Sequence, residues 1–499
     1  MQARGGMKIL FVFPRWTGEY GLFSVFAKRG AVYQPLNLAM LAAIAEASGH
    51  EAAIIDAQAE NLDNEAVARR VKAFAPDAIG LTATTPFFHV ARRCAELFKE
   101  RFPLVPLVLG GPHITILKQE AFAPCFDYAC IGEAEQSFPA LLETLAAGGE
   151  PAGVKGIMYR KDGAIVFTGQ ADPVTDIDSL PVPARHLLHM DKYMLGSLKT
   201  GRKRFTPIMT MRGCPFHCIF CSTDVFGRTV RKRSPAKVIA EIKGVVERFG
   251  TRHFMFLDDT LTLDKGHILS ICRQIVEQNL DITFEGSTRA NLVDEEIVAA
   301  LAAAGMVRIS FGLESADPRV REIMRKGVPL EAYEKANKLT NKYGVETLNS
   351  CMIGLPGETL DSIKRTLSYL RWSKGIKQAN ISIAVPYPGT ELYKMSLAGE
   401  HGLELIKKDF ASFRRYNTAV MKVGGFSPED LIALQNDAFA SIYLAPWRWK
   451  AMYKKSGAFG CLLTLGRLLK SLVRGRFELL FVDKNFWRKP APAGQAGPA

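Results

Sequence analysis

At 499 residues, with 48% hydrophobic and 23% charged positions, the chain is long enough for two or three domains with separate cores and has the balance of a globular protein. Nine cysteines over this length are too few for a disulfide scaffold, which excludes the small secreted classes and fits a reducing compartment. The net charge of +14 is a bias that needs a location before it implies a nucleic acid or a membrane.

The first apolar run, residues 9–13, is ended by Pro14 and Arg15. It is too short for a signal-peptide core or a membrane span and reads as a buried strand, so a cytoplasmic protein is expected. Strands at 8–13, 51–56, 78–82, 104–109 and 128–131 alternate with helices at 36–48, 67–74 and 90–102. That rhythm predicts a doubly wound parallel sheet over 7–150, and such sheets bind ligands beyond the carboxyl ends of their strands. Those ends carry Thr84, Gly110, Gly111, Gly132 and Glu133 among small or polar neighbours. No G-x-G-x-x-G follows the first strand, which argues against a dinucleotide. The Gly110-Gly111 and Gly132-Glu133 segments resemble a cobalamin-binding domain, and the resemblance makes these five residues candidate cobalamin contacts. Where many such domains have D-x-H-x-x-G, this chain has Asp56-Ala57-Gln58-Ala59-Glu60-Asn61, so no histidine from that motif is offered to cobalt. A sheet that only holds substrate is the other reading of this region. His89 and His113 read as loop residues or ligands.

Residues 151–198 form an expected hairpin, with Asp162-Gly163 at its turn, and a Pro-rich linker. Then comes Met211-Arg-Gly-Cys-Pro-Phe-His-Cys-Ile-Phe-Cys-Ser222. Cysteines 214, 218 and 221 in C-x3-C-x2-C spacing can ligate three irons of a 4Fe-4S cube and leave the fourth open. Three thiols with His217 also make a conceivable zinc site. The spacing, with aromatic Phe220 before the third thiol, resembles the radical S-adenosylmethionine superfamily, in which S-adenosylmethionine chelates the open iron.

Downstream strands end in residues that match this resemblance in order. It implies that Asp258 and Asp259 contact the S-adenosylmethionine amino group, that Arg289 lies near its carboxylate and that Glu314 hydrogen-bonds its ribose. Phe220 and Gly354 are placed beside the bound ligand. A helix N-cap is the plainer reading of a lone strand-end carboxylate. Six strands, each trailed by a helix, predict a partial (β/α)6 barrel within 199–425, with its chemistry at the strands' carboxyl ends.

A helical basic region is expected over 426–488 and a disordered tail over 489–499. Residues 459–474 mix apolar residues with Arg and Lys, which suits either a membrane surface or packing on the barrel. Arg202-Lys203-Arg204 and Arg231-Lys232-Arg233 flank the cysteine loop, but no RNA-binding module is recognisable and nucleic acid is not expected.

Together the resemblances imply a cobalamin-dependent radical enzyme. Its 5′-deoxyadenosyl radical activates an unactivated carbon of a small or lipid-like substrate, and methylcobalamin methylates that carbon. An electron donor such as flavodoxin or ferredoxin is implied. An oxidative cyclase or ring-rearranging enzyme acting on a tetrapyrrole or lipid shares this domain order and stands as the alternative. A non-catalytic cobalamin and metal sensor is the reading of another class.

Overall fold

A computed structural model describes residues 6–17, 32–197 and 201–443 and five single positions beyond them, 445, 448, 453, 465 and 466. The expected helix at 459–474 and the tail at 489–499 lie outside the described residues apart from Leu465 and Gly466.

The N-terminal sheet contains β1 (Lys8–Phe13), β2 (Glu51–Asp56), β3 (Ala78–Thr82), β4 (Leu107–Gly110), β5 (Tyr128–Cys130), β6 (Ile157–Lys161) and β7 (Ala164–Phe167), in the order β2-β1-β3-β4-β5-β6-β7. Its first five strands are parallel. Side chains of β1 alternate between two cores: Leu10 and Val12 face one, Ile9 and Phe11 the other. A strand covered on both faces reads as a continuous apolar run, which is why Ile9–Phe13 does. Helices α1 (Leu36–Ala47), α2 (Asn64–Phe74), α3 (Phe88–Arg101) and α4 (Ser137–Ala146) connect the strands.

Two boundaries differ from expectation. The strand expected from Leu104 begins at Leu107, and Leu104 is almost wholly exposed. The hairpin β6-β7 is no separate element of the linker: β6 pairs antiparallel with β5, so the hairpin extends the sheet.

The second sheet is parallel and strictly sequential: β8 (Thr206–Ile208), β9 (His253–Phe256), β10 (Thr283–Thr288), β11 (Met306–Glu314), β12 (Glu346–Ile353) and β13 (Gln378–Ile383). Helices α5 (Pro235–Phe249), α6 (Lys265–Glu277), α7 (Glu295–Ala303), α8 (Leu330–Lys342) and α9 (Leu360–Trp372) lie between or after them. Along β11, Ile309, Phe311 and Leu313 are fully buried, while Arg308, Ser310 and Gly312 between them are only partly so. The period of two gives the strand one helix-covered face and one polar inner face. A further helix, α10 (Pro428–Tyr443), buries Leu431, Leu434, Ala438 and Ile442 in the same core. No helix among the described residues is long and apolar enough to cross a membrane.

Ion pairs tie the segment between the two sheets to the helices of the second. Arg185, from the connecting segment, meets Glu241 of α5 at 2.6 Å, each side chain only 1% exposed. Arg233 reaches the other carboxylate oxygen at 2.5 Å. Burial alone would raise the Glu241 carboxyl, but Arg185 and Arg233 hold it below its ordinary value.

Candidate functional site

The cysteine loop starts immediately after β8. Its stem is a two-residue antiparallel pairing, Met211 opposite Lys232 and Arg212 opposite Arg231. At Gly213 the backbone has φ +92°, and a Cβ there would stand 2.3 Å from the Thr229 carbonyl oxygen, so only glycine lets the loop leave its stem. Farther along, the Ile219 N–H donates to the Met324 carbonyl and the Ile219 carbonyl accepts from Leu392 N–H at 2.8 Å, while Cys221 N–H donates to Cys218 carbonyl. These contacts tie the middle of the loop to the barrel rim.

Cys214 and Cys218 are partly exposed and Cys221 is exposed. Cys94, Cys125, Cys130, Cys272 and Cys351 are buried, and burial pushes the Cys94, Cys130 and Cys272 thiols up to about 12. Desolvation within the loop pushes the Cys221 thiol up to about 12 as well, so what sets the three loop cysteines apart among the described ones is their spacing and solvent access and not a readier loss of the proton. The loop thus fits a three-thiolate cluster ligand set. His217 is exposed, and no group of three His, Cys, Asp or Glu side chains among the described residues is gathered around a single-ion position.

The candidates beyond the cysteines fall into two groups. Arg289, Glu314 and Phe220 come together with Cys218. The Arg289 guanidinium lies 3.6 Å from the centre of the Phe216 ring, donates to the Lys326 carbonyl and approaches Cys218 Sγ at 3.5 Å. Glu314 Oε1 accepts from Lys326 Nζ at 2.7 Å, and Nζ lies 5.7 Å from the centre of the Phe220 ring. Lys326 is buried and was not singled out in the sequence, because it lies on the connection after β11 and only the fold brings it to Glu314. Glu314 has φ +63°, a costly conformation for a residue with a side chain. A Cβ on Gly312 would lie 2.3 Å from Glu314 Oε1 and 2.6 Å from Lys326 Nζ.

Asp258, Asp259 and Gly354 are employed otherwise. The Asp258 carboxylate is buried and accepts from Thr210 N at 2.6 Å, Thr210 Oγ1 at 2.5 Å and Met211 N at 3.0 Å. Its oxygens brace the loop stem. Asp259 is exposed and accepts from Gly213 N–H, so it is the one of the pair that remains open to a ligand. Gly354 has φ +90°, its N–H donates to Glu358 Oε2 at 2.7 Å, and a Cβ there would meet Leu431 of α10 at 3.3 Å.

On the N-terminal side, Thr84, Gly110, Gly111, Gly132 and Glu133 all border one cavity of about 610 Å³. Its lining is mainly apolar and includes Phe13, Trp16 and Phe87 together with Arg212, Val225 and Phe226 of the cysteine-loop region. Size and character are those of a cofactor or small-molecule site. A Cβ on Gly111 (φ +98°) would stand 2.6 Å from Thr82 Oγ1 and 2.8 Å from the Ala83 carbonyl oxygen, so the backbone turns there as tightly as glycine allows. The strand-end glycines and apolar walls fit a large, flat, partly apolar cofactor such as cobalamin.

Glu133 borders the cavity but its carboxylate is already occupied. Oε2 accepts from Arg231 Nη1 at 2.8 Å, Arg212 Nη1 at 3.2 Å and Val174 N at 3.3 Å, and Oε1 accepts from Arg231 Nη2. At the motif position, Gln58 is buried and its Oε1 accepts from Thr17 N at 3.0 Å, while Asp56 accepts from Ala59 N and from Tyr193 O–H. His113 is buried under Phe88 and Phe410, and burial lowers it to about 4. It is absent from the residues lining the cavity, consistent with a packing role.

Comparisons with known proteins match both halves. Residues 208–370 match the radical SAM superfamily and residues 24–142 the B12 binding domain. The chain is 35% identical to an uncharacterized methyltransferase of Pyrococcus horikoshii over 88% of its own length and 93% of the relative's. It is 28% identical to the anaerobic magnesium-protoporphyrin IX monomethyl ester cyclase of Rubrivivax gelatinosus, over 96% of this chain and 84% of that one. In fold it is similar to the radical S-adenosylmethionine methyltransferase TsrM of Kitasatospora setae, with TM-score 0.69, 16% identity and coverage of 94% of this chain and 99% of that one.

Proposed function

The chain belongs to the radical S-adenosylmethionine superfamily, in the branch that carries a B12-binding domain, and on that premise we propose that it is a C-methyltransferase acting on an unactivated carbon of a small or lipid-like substrate. The observation that carries the proposal is one shared wall. The cavity at the strand ends of the first sheet is also lined by Arg212 and Phe226, which flank the cysteines.

In this reading Cys214, Cys218 and Cys221 hold a 4Fe-4S cluster, and the first sheet holds cobalamin along Thr84, Gly110, Gly111 and Gly132. When bound, the cluster and S-adenosylmethionine supply a hydrogen-abstracting radical and cobalamin supplies the methyl group. The protein's own residues bind and orient. Glu314 accepts from the ribose hydroxyls, with Lys326 beside it as the counter-charge. Asp259 accepts from the amino group, Arg289 keeps Phe216 and Cys218 in register, and Asp258 braces the stem. The apolar cavity walls keep bulk water away from the reacting groups.

Anaerobic reconstitution with iron, sulfide and cobalamin, followed by metal analysis of wild type and of the triple variant Cys214→Ala/Cys218→Ala/Cys221→Ala, tests the assignment. About four irons and one cobalt in wild type, with iron alone lost in the variant, are expected. Iron without cobalt removes methyl transfer by cobalamin. The similarity to the Rubrivivax cyclase keeps an oxidative cyclase as the second reading. A product heavier by one methyl group separates the two. An electron donor of the flavodoxin or ferredoxin type belongs to either reaction, and contact of the basic C-terminal region with a membrane surface remains part of the proposal.

A further inference from the structure

All three cysteines lie between two residues that pair with one another. Arg212 precedes Gly213 and Cys214, Arg231 follows the loop, and the two face each other across its antiparallel stem. Both guanidiniums leave the barrel and meet the same carboxylate, that of Glu133 in the other sheet, with all three side chains at most 7% exposed. Arg212 makes a second contact, Nη2 to Glu135 Oε1 at 2.7 Å. Arg231 also donates to the Val174 and Phe226 carbonyl oxygens, and Arg212 lies 5.0 Å from the centre of the Phe226 ring. Two carboxylates thus neutralise two guanidiniums inside the protein, where an unmatched charge is strongly disfavoured.

The far end of this contact is equally fixed. Glu133 follows Gly132, which has φ +82° and donates its N–H to Thr115 Oγ1 at 3.0 Å. The carboxylate therefore projects from a tight corner after β5, and that corner and Arg212 of the loop stem both line the cavity.

Resting on the proposed reading of the two cofactor sites, we propose that Glu133 is a positioning residue: with Arg212 and Arg231 it hangs the cysteine loop from the cavity wall and so fixes the place of the cluster relative to the cobalamin. It binds neither cofactor. A bidentate contact to Arg231 together with a bond to Arg212 constrains orientation as well as distance, which a single surface pair does not do. Movement of the cavity wall is thereby transmitted to the stem and not absorbed between the domains.

The test uses the full-length, cluster-loaded protein. Glu133→Gln leaves two buried guanidiniums against too little charge and risks misfolding. The double variant Glu133→Gln/Arg231→Gln removes one charge of each sign and keeps the balance. In the double variant, iron content and S-adenosylmethionine cleavage to 5′-deoxyadenosine should stay within about twofold of wild type. Hydrogen–deuterium exchange across residues 213–230 should quicken by about tenfold while β9–β12 keep their protection. With cobalamin bound, the distance distribution between the reduced cluster and cob(II)alamin, read by pulsed electron paramagnetic resonance, should broaden. Unchanged exchange across 213–230 overturns the proposal. Loss of iron from the charge-balanced variant overturns it too, because the contact would then be needed for assembly and not for placement. A wild type that binds no cobalt defeats the methyl-transfer reading and the placement relative to cobalamin, and the exchange comparison then decides only whether Glu133 hangs the loop from the cavity wall.

Discussion

Glu358 shows how a residue outside the reacting centre leaves a readable signature. Burial pushes its carboxyl up to about 8, against the opposing effect of the Gly354 and Leu355 N–H groups that donate to it. Below the unfolded value near 4.5 both states carry the proton and nothing is lost. As pH rises from there to about 8, the unfolded state ionises first and binds fewer protons, so stability falls; above about 8 the loss is complete. Glu358→Gln, which imitates the protonated acid, should therefore gain on wild type progressively between these values and hold a constant advantage beyond them. Thermal melts of both proteins from pH 5 to pH 9 check this, and each kcal/mol of relief moves the midpoint by about 2–4 °C for a domain of this size. A difference that does not vary with pH would mean that Glu358 is already ionised in the fold.

Two glycines separate the contribution of the loop from that of the strand beneath it. At Gly213 the obstacle to a Cβ is the Thr229 backbone oxygen at 2.3 Å, which cannot yield, so Gly213→Ala should open the stem and abolish iron uptake on reconstitution. At Gly312 the obstacles are the ends of the Glu314 and Lys326 side chains, which can move aside. Gly312→Ala should keep its iron, yet bind S-adenosylmethionine at least about tenfold more weakly, roughly the loss of one charge-assisted contact, as equilibrium binding would show. The sequence made the loop legible because three thiols, a glycine and an aromatic lie within a dozen residues. It made both sheets legible because each strand is a short apolar run ended by small or polar residues. The employment of Glu133 and Asp258 was not legible. Their partners lie 79 and 98 residues away for Glu133 and 48 and 47 for Asp258, and a carboxylate at a strand end looks the same in sequence whether it meets a ligand or an arginine from another domain. Lys326 was missed for the same reason.

The segment that connects the two sheets is held to the second by charge. Glu241 accepts from Arg185 and Arg233, and Arg185 Nε also donates to Thr206 Oγ1 at 2.9 Å at the start of β8. Removing the shared carboxylate leaves Arg185 a buried cation and Arg233 a half-buried one, at a cost of about 3–5 kcal/mol. Calorimetry should show Glu241→Ala melting in two resolved steps where wild type melts in one, the earlier step belonging to whichever half depends more on the join. The stem of the cysteine loop has a different kind of consequence. An eighteen-residue segment whose ends are already held together by Arg212 and Arg231 has lost its closure entropy before any iron arrives, a saving comparable to the roughly 3 kcal/mol that a covalent tie gives a loop of similar length. A loop closed by its own stem presents its three thiols to an incoming metal with that entropy already given up, so that loading resembles delivery to a waiting berth.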